Sequence, residues 1–422
     1  MHVAIIGNGI AGITTARELR RRVPGCSITV ISGESDHHYS RPALMYVFMG
    51  HMRYEHTKPY EDEFWKRNRI DLVRAWVTRI DVEGRVLELD RGPEIAWDEL
   101  VIATGSRSNK FGWPGQDLAG VQGLCSLQDL ELLEKNVVGA RRGVIVGGGL
   151  IGIELAEMLH TRGVAVTILV REPSYWSNIL PMEESEIVNA VIRREGMDLR
   201  LSTQLREIVD DGEGRACAVI TDRGERIDCQ VVGLTAGVSP NVERIPGSGV
   251  ETGRGVLVDP SFRTNVPHVY AVGDCAEIVM SGGKNRIEQL WYTGRMHGEV
   301  LARVLAGEDA SYDRGIWFNS AKFLDLEYQT YGLGKMDLPG EKNLFWRSRD
   351  GLHAMRIVYT AESVIGFNSM GIRYRHRTCE RWIREKRSVE HVMANLPEAN
   401  FDPEFAARHE RDMVRAWKEQ LA

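Results

Sequence analysis

The sequence predicts an α/β chain: two parallel-sheet units followed by a smaller α+β unit towards the C-terminus. Three observations predict it. A glycine-rich turn joins an apolar run to a helical pattern, the same turn returns near residue 147, and the texture changes at Ser311.

The first turn lies in Val3-Ala4-Ile5-Ile6-Gly7-Asn8-Gly9-Ile10-Ala11-Gly12, a short apolar run that ends in G-x-G-x-x-G and opens into a helical pattern from Ile13 to Arg22. Each glycine has a physical reason. Gly7 permits the tight strand-to-helix turn, Gly9 removes the side chain that would block a pyrophosphate, and Gly12 lets the helix pack closely on the strand. The helix N-terminus then directs free N–H groups at phosphates. Ala16 follows four residues past the third glycine, and a second apolar strand, Ser27 to Ile31, runs into Glu34. That is the distance at which an acidic side chain reaches a ribose hydroxyl.

The second copy is Gly143-Val144-Ile145-Val146-Gly147-Gly148-Gly149-Leu150-Ile151-Gly152, with Ala156 matching Ala16 and a second strand at Val164 to Val170. Each copy has a similar tail of alternating apolar and polar residues, which reads as a β-meander. Val77 to Leu100 alternates around Glu83-Gly84 and Arg91-Gly92 and feeds Leu100-Val101-Ile102-Ala103-Thr104-Gly105. Ile208 to Gln230 alternates around Asp211-Gly212 and Arg223-Gly224 and feeds the run from Val231 to Gly237. The pattern is that of two Rossmann-like dinucleotide-binding domains, each a βαβ unit on a central parallel sheet plus a meander.

A chain of 422 residues has room for two or three domains with cores of their own. With 43% hydrophobic and 27% charged residues it has ordinary globular composition, and a net charge of -6 argues against a nucleic-acid binder. No apolar run reaches the roughly 18 residues of a membrane span, and the first strand begins at His2, so the cytoplasm is the expected compartment. Cys26, Cys125, Cys217, Cys229, Cys275 and Cys379 form no C-x-x-C, and no Cys/His cluster has zinc spacing. No metal site is expected, and no redox dithiol is available to relay electrons from a cofactor.

Several single residues carry chemistry. Arg41 precedes Pro42 and is expected to be extended, either facing the pyrophosphate of the first nucleotide or lying at the surface beside a turn. His37 and His38 read as exposed loop residues, with no third ligand for a metal. The second unit's strand ends Val170-Arg171-Glu172. The missing acid at 170 and the cation at 171 lean towards a 2′-phosphate, while Glu172 keeps a free 2′-hydroxyl open. After Val256-Leu257-Val258-Asp259, the run Val269-Tyr270-Ala271-Val272-Gly273-Asp274-Cys275-Ala276 ends an apolar strand in Gly-Asp, ahead of a helical stretch from about Ile287 to Ala306. Asp274 there either accepts hydrogen bonds from polyol hydroxyls or caps a helix.

From Ser311 the chain turns aromatic, with Trp317-Phe318, Tyr328 and Tyr331, and further strands are expected at Ala354 to Tyr359 and Ser363 to Asn368. The cations Arg373, Arg375, Arg377, Arg381, Arg384, Lys386 and Arg387 either steer an acidic partner or form a solvated helix face. Asp402 to Leu421 reads as an amphipathic helix.

Taken together, the two G-x-G-x-x-G units, Ala103-Thr104-Gly105, Gly273-Asp274-Cys275-Ala276 and the separate C-terminal region resemble the FAD-dependent pyridine nucleotide oxidoreductases over about residues 1–390. Within them, Tyr39-Ser40-Arg41-Pro42-Ala43-Leu44 is similar to the segment of rubredoxin reductases, bacterial ferredoxin reductases and the flavin portion of NADH-dependent nitrite reductases. These also lack the dithiol. The resemblance implies an FAD domain over 1–106 and 240–306, an NAD(P)H domain over 107–239, an interface domain over 307–395 and a helical tail over 396–422. It implies FAD held through Gly7, Gly9, Ile10, Ala11, Gly12, Glu34, Arg41, Pro42, Ala103, Thr104, Gly105, Gly273 and Asp274. NADH or NADPH is then held through Gly147, Gly149, Leu150, Ile151, Gly152, Arg171 and Glu172, and Gly237 is a further cofactor-binding residue.

Glu154 matches the family's glutamate near the flavin ring, and Glu288, Gln289 and Trp291 match the segment that closes over it. There is one departure: Met45-Tyr46 stands where ferredoxin reductases of this type carry Ser-Lys. The lysine–glutamate pair is lost, and Tyr46 becomes the candidate donor to Glu154. The implied function is an NAD(P)H-dependent flavoprotein reductase that delivers electrons to a small acidic carrier protein of ferredoxin or rubredoxin type. The alternatives are reduction of a small acceptor such as oxygen, a quinone or a disulfide, and a flavin-binding interaction protein similar to apoptosis-inducing-factor-like proteins.

Overall fold

The computed structural model describes residues 1–334, 338–402, 404, 405 and 407–421, and the chain divides into two compact units.

The first unit comprises residues 1–111, 123–138 and 237–313. Its five-stranded sheet runs, in order, Val269–Ala271, Glu99–Ile102, His2–Ile6, Ser27–Ile31 and Ile70–Val73. Every pairing is parallel. Val3 to Ile6 and Leu100 to Ile102 are buried without a break, as strands covered on both faces must be. Helix Ile10–Arg22 starts three residues earlier than its periodicity suggests, directly at the glycine turn. It packs on helix Trp291–Leu305, where a side chain on Gly298 would meet the Ala11 carbonyl oxygen at 2.6 Å. Only glycine allows that approach. The meander forms three antiparallel strands, Val77–Asp81, Val86–Leu89 and Ile95–Ala96. Helix Leu127–Asn136 also belongs to this unit, with the Leu127 N–H on Glu34 Oε1 at 3.1 Å.

The second unit comprises residues 112–122, 139–236 and 314–422. Its parallel sheet runs Asp198–Arg200, Ala165–Leu169, Arg142–Val146, Val231–Leu234 and Val121–Gln122. This repeats the first sheet's strand order, except that the strand beyond Val231–Leu234 comes from upstream in the chain. The meander is Leu205–Asp210, Ala216–Thr221 and Arg226–Asp228.

The same unit carries a five-stranded antiparallel sheet, in order Phe318–Phe323, Leu326–Gly332, Val364–Met370, Ala354–Tyr359 and Lys342–Arg347. Helices His376–Arg384, Val389–Asn395 and Glu410–Leu421 accompany it. Met413 and Trp417 are fully buried in one core with Tyr331, Leu344 and Trp382. The stretch expected as a separate tail is therefore part of this core, because one face of its last helix is apolar and faces inward.

Candidate nucleotide-binding sites

In the first unit the three glycines of the turn do three different things. Gly7 has φ +114° and donates its N–H to the Ile31 carbonyl at 2.8 Å, and a side chain there would meet the Ala103 carbonyl oxygen at 2.2 Å. A side chain on Gly12 would meet the Gly7 carbonyl oxygen, also at 2.2 Å. Gly9 is the N-cap of helix Ile10–Arg22 with no side-chain cap, and a side chain there would meet nothing within 4 Å. The free N–H groups of Ile10, Ala11 and Gly12 thus open beside unfilled space, as a phosphate site requires.

The second unit repeats the arrangement. Gly147 has φ +130°, its N–H reaches the Leu169 carbonyl at 2.9 Å, and a side chain would meet the Thr235 carbonyl oxygen at 2.4 Å. Gly152 is blocked by the Gly147 carbonyl oxygen at 2.7 Å, while Gly149 caps helix Leu150–Thr161 and faces open space. Leu150 and Ile151 form its first turn. Tyr175 donates its hydroxyl to the Gly149 carbonyl at 2.8 Å, a brace that no sequence motif announced.

Around the first turn, Asn8 donates to the carbonyl and the hydroxyl of Ser35, both at 3.0 Å, and its own carbonyl lies 2.8 Å from His38 Nδ1. His38 is buried, which corrects the expectation of an exposed loop residue: the ring is spent on fixing the glycine turn. Burial pulls its pKa down to about 4, so it is neutral. Arg41 opens a one-turn 3-10 helix, Arg41–Ala43, instead of an extended segment. Pro42 only disfavours that conformation in the residue before it, and as a first-turn residue it needs no N–H.

The Arg41 guanidinium makes two hydrogen bonds to the Glu34 carboxylate, each 2.8 Å, lies 5.4 Å over the Tyr39 ring and donates to the Cys125 carbonyl. Glu34 also accepts from the Tyr39 hydroxyl and the Leu127 N–H. Burial works against its charge, but Arg41 outweighs burial and its pKa lies below the ordinary carboxylate value. In this structure Arg41 therefore serves Glu34, the residue read as the ribose ligand.

Thr104 donates to the Asn241 carbonyl at 2.6 Å, and Gly105 and Gly237, both with positive φ, carry the chain past the ends of the strands. Asp274 sits in the 3-10 turn Gly273–Cys275, whose N-cap is Val272, so the capping alternative falls. Its Oδ2 accepts from Ser106 Oγ at 2.9 Å, and Gln289 Nε2 donates to that same Oγ at 2.8 Å. Burial raises the Asp274 pKa against the hydrogen bond from Ser106.

Other expected residues lie elsewhere. Glu288 is buried, and its Oε2 accepts the Tyr312 hydroxyl at 2.5 Å. Trp291 opens helix Trp291–Leu305 and is 37% exposed, its ring edge-on to Tyr292. Tyr46 lies on helix Leu44–Phe48, stacked with His51 at 6.2 Å between centroids.

In the second unit Val170 is fully buried, and Arg171 is exposed and bonded to Glu172 Oε1 at 2.9 Å. Glu154 lies one helical turn from Glu157. Burial and the Glu157 charge push its pKa up to about 7, against the opposing charge of Lys322. Lys322 itself pairs with Glu157 at 2.7 Å.

All six cysteines are free. Burial pushes the Cys229 thiol up to about 12 and raises Cys125 as well, so neither is a ready thiolate. Among the described residues no group of three or more His, Cys, Asp or Glu is arranged to hold a metal, and no helix is long and apolar enough to cross a membrane.

Two glycine turns, each with an open central glycine, fit one dinucleotide per unit. The family model of pyridine nucleotide-disulphide oxidoreductases matches residues 1–298. The chain belongs to that family. It is an FAD-dependent oxidoreductase that uses NAD(P)H.

The chain is 32% identical to the ferredoxin reductase component of a chlorobenzene dioxygenase from Cupriavidus sp., over 74% of its length and 75% of that protein. It is 31% identical to an NADH oxidase of Methanocaldococcus jannaschii, over 79% and 76%. Among solved structures, the ferredoxin reductase for the CYP199A2 system of Rhodopseudomonas palustris aligns with TM-score 0.80 and 26% identity over 99% of both chains.

Proposed function

We propose that this oxidoreductase takes a hydride from NAD(P)H onto FAD and delivers electrons to an external carrier of ferredoxin or rubredoxin type. The observation that carries the reading is the pair of open phosphate cradles at Gly9 and Gly149 in a chain whose cysteines are all free. With no internal dithiol the electrons must leave the protein. The relative named as a ferredoxin reductase component supports a protein carrier as acceptor.

FAD, when bound, supplies hydride acceptance and one-electron release, and the protein supplies binding, alignment and electrostatics. In the first unit the N–H groups of Ile10, Ala11 and Gly12 receive the pyrophosphate. Glu34, held by Arg41, takes ribose hydroxyls, and Asp274, held by Ser106, takes those of the polyol. In the second unit the N–H groups after Gly149 receive the nicotinamide nucleotide, Arg171 and Glu172 meet its ribose, and Glu154, with its pKa at about 7, gains or loses a proton around neutral pH. Carrier docking falls to the basic stretch 373–387. There Arg373, Arg381, Arg384 and Arg387 are paired with Glu327, Glu398, Glu380 and Glu385. Arg375, Arg377 and Lys386 enter no ion pair among the described residues, which leaves three cations to attract an acidic surface. A reducing cytoplasm suits six free cysteines.

A second reading, oxidation of NADH by oxygen, is favoured by the NADH oxidase relative. Anaerobic stopped-flow mixing with NADH and then NADPH, followed by ferredoxin, rubredoxin or oxygen, tests both. Rapid bleaching of the flavin and fast reoxidation by a carrier support the main reading. Fast reoxidation by oxygen alone supports the second, and a protein that bleaches with neither nucleotide refutes both.

A further inference from the structure

Gln289 and His297 hold the Gly273-Asp274 turn from two sides. On one side Gln289 Nε2 donates to Ser106 Oγ at 2.8 Å, and Ser106 Oγ donates to Asp274 Oδ2 at 2.9 Å. On the other, the Gly273 N–H donates to Nδ1 of His297 at 3.1 Å. A backbone N–H can only donate, so Nδ1 offers a lone pair and the neutral ring carries its proton on Nε2. That nitrogen faces Glu288 Oε2 at 3.7 Å, and the same oxygen accepts the Tyr312 hydroxyl at 2.5 Å. Arg286 Nε stands 3.7 Å from the other carboxylate oxygen.

The imidazole is fully buried, with ring centroids 4.7 Å from Phe262 and 4.5 Å, edge-on, from Tyr312. A leucine would fill such a place without burying polar atoms. The Nδ1 atom of His297 accepts from a single peptide N–H. That peptide belongs to Gly273, at φ +76°, where a side chain would meet the Ala11 methyl at 2.8 Å. The turn is thus seated on the glycine helix on one face and tied to His297 on the other.

We propose that His297 is a positioning residue for the flavin site: it fixes the Gly273 peptide and so aims the Asp274 carboxyl group, the Gly273 N–H itself setting the ring's tautomer. The proposal rests on the reading of Asp274 as a ligand to the polyol hydroxyls of FAD.

Release of FAD from the holoprotein, followed by flavin fluorescence, is measured in H297F, H297Q, D274N and the H297F/D274N double variant. Loss of one buried hydrogen bond predicts release about tenfold faster in H297F. H297Q keeps an acceptor for the N–H and returns to within about threefold of wild type. The double variant releases FAD no faster than D274N alone, because both substitutions break one linkage. Effects that multiply, or an H297Q as impaired as H297F, overturn the proposal and leave His297 as filler.

A second measurement needs no substitution. Ring ¹⁵N NMR of wild type is expected to find Nδ1 bare and Nε2 protonated, and a proton on Nδ1 refutes the assignment even if H297F fails to fold. Wild-type protein that holds no FAD would instead overturn the proposed function, and the ring tautomer would then judge His297 alone.

Discussion

The Nδ1 atom of His38 lies 2.8 Å from the carbonyl oxygen of Asn8, the residue between the first two glycines of the N-terminal turn. A carbonyl can only accept, so Nδ1 carries the proton and the neutral ring clamps the loop that the cofactor phosphates must meet. The ring stays neutral down to about pH 4, against an ordinary value of 6.5. As the pH falls through 6.5 the unfolded chain takes up a proton that the native state refuses. Stability present above pH 6.5 is therefore lost as the pH approaches 4, by about 3 kcal/mol. His38→Asn keeps a donor towards Asn8 and does not titrate. Urea denaturation at pH 7 and pH 4.5 should give a smaller difference for that variant than for wild type.

A buried ion pair holds the C-terminal sheet in the second unit. Arg356, on strand Ala354–Tyr359, bonds Glu184 at 2.7 and 2.8 Å and Glu183 at 3.0 Å. Both Arg356 and Glu184 have side chains under 4% exposed. Arg356→Met leaves Glu184 buried without its partner, which should cost about 3–5 kcal/mol. The R356M/E184L pair should recover most of that loss, because an apolar contact replaces the broken pair. Denaturation midpoints of the two variants decide it: equal losses would mean that the cost lies in packing and not in charge.

The legible parts of the fold were those written in local chemistry. The glycine turns, both meanders and the strand before Asp274 follow from steric and periodic rules that act within a dozen residues. What the sequence could not convey was direction. Glu288 matched a segment over the flavin ring, yet its carboxylate turns inward to Tyr312 and His297, partners 24 and 9 positions away in the chain. His38 looked like a polar loop residue because its partner, the Asn8 carbonyl, lies 30 residues upstream and is backbone. Trp417 read as the apolar stripe of a terminal helix, but nothing near it names the core of Tyr331, Leu344 and Trp382 that it enters. Tyr175 braces Gly149 from 26 residues downstream. Such long-range contacts depend on the tertiary path, which local spacing does not encode.

Glu154 gives the opposite pH dependence from His38. Its native pKa of about 7 lies above the ordinary 4.5, so the native state holds a proton that the unfolded chain has released. Stability contributed below pH 4.5 is lost as the pH rises through 7, at a cost of about 3 kcal/mol. Glu154→Gln should therefore stabilise the protein at pH 8 and leave it unchanged at pH 4. Lys322→Met, which removes the neighbouring cation, should move the transition above pH 7. Thermal melts of the three proteins across pH 4–9 check this, and an E154Q profile parallel to wild type would refute it.

The last prediction separates the two glycine cradles. Gly9 has φ −67° and ψ 179°, extended backbone that alanine adopts freely, and open space where its side chain would stand. Gly9→Ala should change stability by less than about 0.5 kcal/mol, yet its methyl stands where a pyrophosphate must approach, so the protein should purify folded but colourless. Gly149 is equally open, at φ −110°. Gly149→Ala should keep the flavin and slow its reduction by NAD(P)H about tenfold or more, as expected when close backbone approach is lost. Gly12→Ala is the contrasting case, since its side chain would lie 2.2 Å from the Gly7 carbonyl oxygen. That variant should lose several kcal/mol of stability, on the order of an overpacked core. Flavin content, circular dichroism and stopped-flow reduction across the three variants distinguish binding from folding at each glycine. If G149A lost its flavin and G9A kept it, the assignment of FAD to the first unit and of the nicotinamide nucleotide to the second would be reversed.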